Sequence, residues 1–194
     1  DIVSIVQPIT KYAVKIENEN NIKYELEKAF HISCNGRPGP VLIDIPMNIQ
    51  RADINPDKLI SYKSKSDEQT SCYYEFIKNT ILEMLKNSKR PVILAGNGIN
   101  TANIRNKFRD FVELLGIPVV TSMIGRDVLP NYTINNFGFI GAYGHRCANF
   151  IISNSDLIIS FGSRIDCRQT GSNLKVFAQN AKIIRLDIDN GELT

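Results

Sequence analysis

Four apolar runs of the chain each end in residues suited to binding a nucleotide. The runs are followed by Gly96-Asn97-Gly98, Thr121-Ser122-Met123, Gly162-Ser163-Arg164 and Asp187-Ile188-Asp189. Glycines let the backbone approach a phosphate, and the N-terminus of a helix after Gly98 would attract its negative charge. If the runs are parallel strands, their carboxyl ends meet at the sheet edge where such sheets bind ligands. The pattern therefore predicts a nucleotide site.

The glycines at positions 96 and 98 also fit a purely structural role. The dinucleotide fingerprint G-x-G-x-x-G is broken, because Thr101 stands where the third glycine belongs. Glycines that make a tight strand-to-helix turn would leave the same pattern. Both interpretations stay open at the level of sequence.

Two arginines and an aspartate extend the predicted nucleotide site. Arg164 and Arg168 follow the third run, and a guanidinium binds pyrophosphate oxygens through two parallel hydrogen bonds. Asp166 lies between them, so a local ion pair is the alternative. A carboxylate of Asp187-Ile188-Asp189 can accept both hydroxyls of a ribose, and its alternative role is a helix N-cap.

The sequence holds no recognisable catalytic or metal-binding constellation. Its two histidines, His31 and His145, fall in different segments, and there is no nucleophile elbow or P-loop. The four cysteines lie far apart, without the C-x-x-C spacing of zinc or redox sites, at positions 34, 72, 147 and 167. We therefore assign no catalytic and no metal-ligating residue to this chain.

Composition and charge exclude several classes of protein. With 43% apolar and 22% charged residues, the chain fits a globular domain and not a disordered one. The net charge of +3 is scattered, so neither nucleic acid nor a membrane surface is expected as a partner. The longest apolar stretches, 91–95 and 156–161, are far shorter than the roughly 20 residues of a membrane helix. Without a signal-peptide pattern a cytoplasmic location is expected, and the start without Met suggests a fragment.

Periodicity divides the chain into a helix–strand segment, a polar linker and a regular α/β domain. Residues 20–33 have helical spacing, 41–45 form an apolar run, and 51–71 show neither period. Helices are then predicted at 74–85, 104–115, 146–153 and 173–179, and strands at 92–95, 117–121, 157–160 and 183–187. Near-continuous apolar strands are covered on both faces, which predicts a doubly wound parallel sheet.

Six segments together resemble one known family. They are Gly36-Arg-Pro-Gly-Pro-Val-Leu-Ile-Asp-Ile-Pro46, Arg90–Gly98, Leu115–Gly125, Gly141–Asn149, Asp156–Arg164 and Ile184–Asp189. In this order and spacing they resemble the thiamine-diphosphate-dependent enzymes of the acetolactate synthase group. The resemblance implies that residues 1–50 end the pyrimidine-binding domain, that 51–71 are a linker, and that 72–194 form the central domain. It also implies that this Rossmann-like central domain has a six-stranded parallel sheet.

The resemblance further implies that the central domain binds FAD in an extended form, without using it for net redox chemistry. The implied contacts are Ser122, Met123, Ile124 and Tyr143 for the isoalloxazine and ribityl groups; Gly96, Asn97, Gly98, Gly162, Arg164 and Arg168 for the ribityl-pyrophosphate region; Asp187 and Ile188 for the adenosine end; and Arg37 from the preceding domain. The chain departs from the family with two glycines in place of three at 96–98, with Tyr143 in place of a histidine, and with Cys167 in place of an acidic residue.

The resemblance places the catalytic parts of such an enzyme outside this chain. The glutamate that activates the aminopyrimidine would precede Asp1, and the motif that holds Mg2+ and diphosphate would follow Thr194. The parent would decarboxylate a 2-oxo acid on thiamine diphosphate and ligate the product to a second one, as a homo-oligomer, dimer or tetramer, in branched-chain amino acid biosynthesis. Alone, the chain would be inactive. Two other hypotheses are a stand-alone nucleotide-binding or structural module, and an NAD-dependent dehydrogenase that lacks its glycine fingerprint.

Overall fold

The computed structural model of the protein describes residues 1–64 and 71–193, with only the backbone at 71–73. Residues 65–70 of the predicted linker, and Thr194, lie outside the described residues. The chain divides into two compact units, residues 1–69 and 70–194.

The first unit is built on two paired parallel strands, β1 (Tyr12–Lys15) and β2 (Val41–Asp44). Its helices are α1 (Ile2–Val6), α2 (Ile22–Cys34) and α3 (Met47–Gln50), and single 3-10 turns cover Gln7–Ile9, Glu19–Asn21 and Pro56–Lys58. The helix and the strand predicted in this region are both present. β1 has only four residues, too few for an alternating pattern to stand out in the sequence.

The second unit is a sheet of five parallel strands in the order β5-β4-β3-β6-β7. The strands are β3 (Pro91–Ala95), β4 (Val119–Thr121), β5 (Asn136–Phe139), β6 (Leu157–Phe161) and β7 (Lys182–Leu186). The doubly wound parallel sheet is confirmed, but the described residues form five strands where six were expected. After β7, Asp189 caps a 3-10 turn over Asn190–Glu192, and the described residues end at Leu193.

Helices of the second unit alternate with these strands except between β4 and β5, where the connection holds only turns. They are α4 (Ser71–Asn87), α5 (Gly98–Thr101), α6 (Arg105–Leu115), α7 (Arg146–Ser153) and α8 (Cys167–Thr170). α6 ends as predicted at Gly116, whose φ of 64° is the left-handed conformation that glycine adopts without strain. Among the described residues, no helix is both long and apolar enough to cross a bilayer.

The sheet is covered on both faces, as its apolar strands require. Neighbouring residues of β3 belong to different hydrophobic clusters, because side chains alternate between the faces of a strand. One cluster contains Val92 and Leu94 with Ile152 of α7, and the other contains Ile93 with Phe108 of α6. All five residues are 4% exposed or less, so this is the core that fixes the strand ends.

The prediction of a helix at residues 173–179 is wrong. Only Leu174–Val176 form a single 3-10 turn, which begins at Asn173 through a hydrogen bond from the Lys175 amide to its side chain. Ala178 has a φ of 44°, outside the right-handed helical region, so the helix cannot continue. Apolar residues at helical spacing were not enough to extend this turn.

Asp156 ties the beginning of β6 to the loop between α4 and β3. Its carboxylate accepts hydrogen bonds from the Ser88 hydroxyl, from the Lys89 amide at 2.8 Å and from the Arg90 amide at 2.9 Å. These donors, Ser88 foremost, lower the pKa of the Asp156 carboxyl from 3.8 to about 2. The bonds hold the amino ends of β3 and β6 together, at the sheet edge opposite the predicted site.

Candidate functional site

The predicted site lies where the chain changes direction across the sheet. β3 and β6 are neighbours in the middle of the sheet; the chain continues from β3 to β4 on one side and from β6 to β7 on the other. The connections after β3 and β6 therefore diverge and leave a crevice beyond the carboxyl ends of these strands. In the second unit, every predicted site residue belongs to the connections that follow β3, β4, β5, β6 and β7, with Gly98 at the start of α5 and Arg168 in α8.

The glycines of this crevice bring two loops into direct backbone contact. A Cβ atom on Gly96 would lie 2.0 Å from the carbonyl oxygen of Gly162, and one on Gly98 would lie 2.7 Å from the Gly162 Cα. The amides of Gly96 and Gly98 donate to the carbonyls of Phe161 and Gly162, at 2.8 and 3.0 Å. These two amides are thus engaged within the protein, and the structural role considered from the sequence accounts for both glycines.

The helix expected to point its dipole into the crevice is short. α5 has only four residues, Gly98–Thr101, and the longer α6 begins at Arg105. A single turn aligns few peptide dipoles, so it attracts a phosphate weakly. Asn97 is exposed in this loop, and its Oδ1 accepts a hydrogen bond from Asn100 Nδ2 at 3.0 Å.

Arg164 is held by a carboxylate that the sequence did not single out. Its Nε lies 3.0 Å from Oε1 of Glu192, whose side chain is only 16% exposed. Arg185 of β7 approaches the same carboxylate at 3.9 Å and donates to the Arg164 carbonyl at 3.1 Å. Glu192 lies in the 3-10 turn after β7, and no sequence pattern linked it to Arg164.

Asp166 does not form the local ion pair considered from the sequence. It is the N-cap of α8, where its Oδ1 accepts the Arg168 amide at 3.1 Å, and the Arg168 side chain is exposed. After β7, Asp187 accepts the Asp189 amide at 3.0 Å, and Asp189 in turn caps the turn over Asn190–Glu192. The capping role is therefore present at Asp166 and Asp189.

Residues after β4 and β5 present apolar side chains to solvent at the same sheet edge. Met123 is 49% exposed, Ile124 76% and Tyr143 84%, and Ile188 after β7 is 68% exposed. Ser122 is buried instead, and its Oγ accepts the Gly125 amide at 3.0 Å, which shapes the turn that carries Met123 and Ile124. Such exposed apolar side chains beside arginines form a surface that a ligand with a ring system can cover.

The loop that carries Tyr143 is fixed against α8. Asn149 of α7 binds both the amide and the carbonyl of Gly141, at 2.9 and 3.0 Å. The Ala142 amide donates to the Arg168 carbonyl at 3.1 Å. The structure therefore brings Tyr143 and Arg168, predicted from separate segments, to neighbouring positions.

Arg37, the remaining predicted residue, belongs to the first unit. It follows α2 and Gly36, which has a φ of 63°. Lys11 anchors the preceding turn, since its Nζ donates to the carbonyls of Ile32 and Asn35 at 2.5 and 2.6 Å. The participation of Arg37 in the site stays a prediction.

A cavity of about 930 Å3 lies beside the predicted residues, beyond the ends of β4 and β5. Of the predicted site residues only Met123 and Ile124 line it, together with three arginines, Arg105, Arg109 and Arg126. The arginines come from α6 and from the segment after β4, so no single motif revealed them. Among residues 1–64 and 71–193, no group of three potential metal ligands is found.

The α/β fold agrees with the comparisons with known proteins. Residues 79–194 match the family model described as thiamine pyrophosphate enzyme, central domain. The chain belongs to the thiamine pyrophosphate enzyme family. The resemblance noted in the sequence is thereby confirmed, and all five strands of the second unit lie within the residues that match the central domain.

Relatives within the thiamine pyrophosphate enzymes match the chain over nearly its whole length. The acetolactate synthase large subunit of Corynebacterium glutamicum is 36% identical over all of the chain, which covers 31% of that protein. Acetolactate synthase 2, chloroplastic, of Nicotiana tabacum is 34% identical over 99% of the chain and 29% of its own length. The large subunit of Lactococcus lactis is 36% identical over all of the chain and 33% of its own length. The chain therefore spans about a third of these relatives.

Proposed function

We propose that this chain is part of an acetolactate synthase-like enzyme, which decarboxylates one 2-oxo acid on thiamine diphosphate and joins the product to a second. The observation that carries the proposal is the 36% identity to an acetolactate synthase large subunit over all of the chain. In this proposal residues 1–50 end the pyrimidine-binding domain, and residues 72–194 are the central domain. Thiamine diphosphate and Mg2+ bind outside residues 1–194, so the chain supplies scaffold and not catalytic groups.

We also propose that the carboxyl edge of the five-stranded sheet holds FAD in the whole enzyme. The exposed apolar side chains of Met123, Ile124 and Tyr143 suit a planar ring system, and the arginines at positions 164 and 168 suit a pyrophosphate. The amides of Gly96 and Gly98 already donate to backbone carbonyls of the protein. Side chains, and not these backbone amides, would therefore bind the phosphates. The bound flavin would serve as a structural cofactor without net redox chemistry.

The chain's own residues would prepare this site by fixing the groups that touch the cofactor. Glu192 holds the Arg164 guanidinium in place, so less side-chain freedom is lost when Arg164 binds a phosphate. Asp166 fixes the turn that carries Arg168, and Asn149 fixes the loop that carries Tyr143. The alternative of a stand-alone nucleotide-binding module is less favoured, because the match to synthases also covers the first unit.

Replacing the two arginines tests the flavin site. Arg164→Lys and Arg168→Lys keep the charge but lose the planar fork, so we expect each to weaken FAD binding by about tenfold or more in the full-length protein. Isothermal titration calorimetry measures the affinity. Arg90→Lys is the control, because Arg90 precedes β3 at the opposite edge and its Nε donates to the Asn154 carbonyl. Equal FAD affinity in all three variants and the parent would contradict the assignment.

The enzymatic proposal is tested by comparing the full-length protein with residues 1–194. We expect acetolactate to form from pyruvate only with the full-length protein, and only with thiamine diphosphate and Mg2+ present. The isolated chain should produce none, because no catalytic constellation was found in its sequence. Acetolactate formation by the isolated chain, or none by the full-length protein with any 2-oxo acid, would refute the proposed activity.

A further inference from the structure

The cavity beyond the ends of β4 and β5 shares only Met123 and Ile124 with the proposed flavin site. Its volume is about 930 Å3, within the range of small-molecule sites. Among the described residues, the predicted flavin contacts Met123 and Ile124 line it and the others do not. The cavity therefore lies next to the proposed flavin site, on the β4–β5 side of the sheet. The kind of ligand it binds has to be inferred from the residues that line it.

The charges of the lining favour an anion. Three guanidiniums, Arg105, Arg109 and Arg126, stand against one carboxylate, Asp127. Arg105 Nη2 lies 3.0 Å from Asp127 Oδ2, and Arg105 also donates to the Asp127 carbonyl. The carboxylates nearest to Arg109, those of its own helix, lie 3.8 and 3.9 Å away, so neither satisfies its donors at hydrogen-bond distance. Within the lining alone positive charges outnumber negative ones by two, with the histidine counted as neutral, and Asp110 and Glu113 outside the lining offset part of the Arg109 charge.

Two polar features of the same cavity are unsatisfied within the part of the chain that the structure describes. The hydroxyl of Thr121, which is 1% exposed and lines the cavity, has no hydrogen-bond partner among the described residues. α6 begins at the cavity with Arg105, and its N-cap residue Ile104 offers no side-chain acceptor to the first amides. A buried unpaired hydroxyl is costly unless another group binds it, and an uncapped helix start favours an anion.

Another part of the lining is aromatic and apolar. Phe139 has the Arg126 guanidinium 5.5 Å from its ring centre and the His145 ring 4.9 Å away. Val128 and Leu129 also contribute to the wall. A ligand that matches this cavity therefore has an anionic end and a planar or apolar end.

We propose that this cavity binds a small phosphate monoester that carries a planar or apolar group. A phosphate carries the negative charge that suits a lining richer in arginines than in carboxylates, and its oxygens can accept from the Arg126 guanidinium and the Thr121 hydroxyl. The cavity is also larger than a simple carboxylate needs. The proposed phosphate site consists of the lining residues described above. It does not include Arg164 or Arg168, the arginines proposed to bind the flavin.

Adenosine monophosphate is the probe that tests this site, titrated by calorimetry into the full-length protein saturated with FAD and thiamine diphosphate. We expect saturable binding of about one molecule per chain, and Arg126→Gln should weaken it by about tenfold or more. Arg126→Lys should weaken binding less than Arg126→Gln, because lysine keeps the positive charge. It should still bind more weakly than the parent, because lysine lacks the planar guanidinium that donates two parallel hydrogen bonds. Arg90→Gln, at the opposite sheet edge, should leave the affinity unchanged. If Arg126→Gln lowers the melting temperature of the protein, the same titration is made with Arg105→Gln instead.

Two results would overturn the proposal. One is the absence of adenosine monophosphate binding to the parent protein at millimolar concentration. The other is binding that Arg164→Lys weakens and Arg126→Gln does not, because the nucleotide would then occupy the flavin region. Loss of FAD binding alone would refute the flavin proposal and leave this cavity site standing.

Discussion

Gly96→Ala should strongly destabilise the chain, by about 3 kcal/mol or more. The added methyl group would meet three backbone atoms, the nearest being the Gly162 carbonyl oxygen at 2.0 Å. The backbone directly after two paired strands cannot yield as a flexible side chain can, so the ends of β3 and β6 would have to move apart. Urea unfolding of the 194-residue chain, followed by circular dichroism, measures the loss.

Gly116→Ala is the matched control for this substitution. Gly116 has a φ of 64°, but among the described residues, apart from Gly116 and its two chain neighbours, no atom lies within 4 Å of the position that a Cβ would take there. Its replacement should therefore cost only the left-handed backbone strain, about 1 to 2 kcal/mol. If Gly96→Ala costs no more than Gly116→Ala, the close contact between the two loops does not exist as described.

Asp156→Asn should destabilise the chain in a manner that depends on pH. The carboxylate accepts three hydrogen bonds in the folded state, and losing its charge should cost about 2 to 3 kcal/mol near neutral pH. Its folded pKa of about 2 lies below the ordinary 3.8, so folding favours the ionised form. This stabilisation is complete above about pH 4 and disappears as the pH falls through about 2.

Urea midpoints of the parent and Asp156→Asn between about pH 2 and pH 6 measure this effect. The difference between them should be largest at the upper end of this range and should shrink towards the lower end. Asp110→Asn is the control, since this exposed side chain of α6 only approaches Arg109 at 3.8 Å. A difference for Asp156→Asn that stays constant across this range would show that its charge does not stabilise the fold.

Local patterns in the sequence were sufficient for much of the second unit. β3 and β6 are buried apolar runs, so their lengths and positions follow from composition. α6 carries its apolar residues at helical spacing and ends at a glycine, which is why both of its ends were predictable. Because these elements are correct, the strand ends named from the sequence do lie along one edge of the sheet.

The parts that could not be predicted depend on weak propensity or on distant contacts. β5 has the sequence Asn-Phe-Gly-Phe, with Gly138 at a φ of 87°, and it pairs with β4 through an irregular register. Its position is set by the neighbouring strand and not by its own residues. The fit of Gly96 against Gly162 and the pairing of Arg164 with Glu192 join residues far apart in sequence, so no local pattern shows them.

The amount of flavin that the full-length protein binds is the most direct test of the proposed site. It shows whether the carboxyl edge of this sheet is the flavin site of an acetolactate synthase-like enzyme. Titration of the purified protein with FAD, followed by flavin absorbance after removal of free cofactor, gives the bound amount per chain. We expect about one FAD per chain in the parent and clearly less at the same concentration in a double variant, Arg164→Lys with Arg168→Lys. No retained FAD in the parent, or one per chain in both proteins, would contradict the claim.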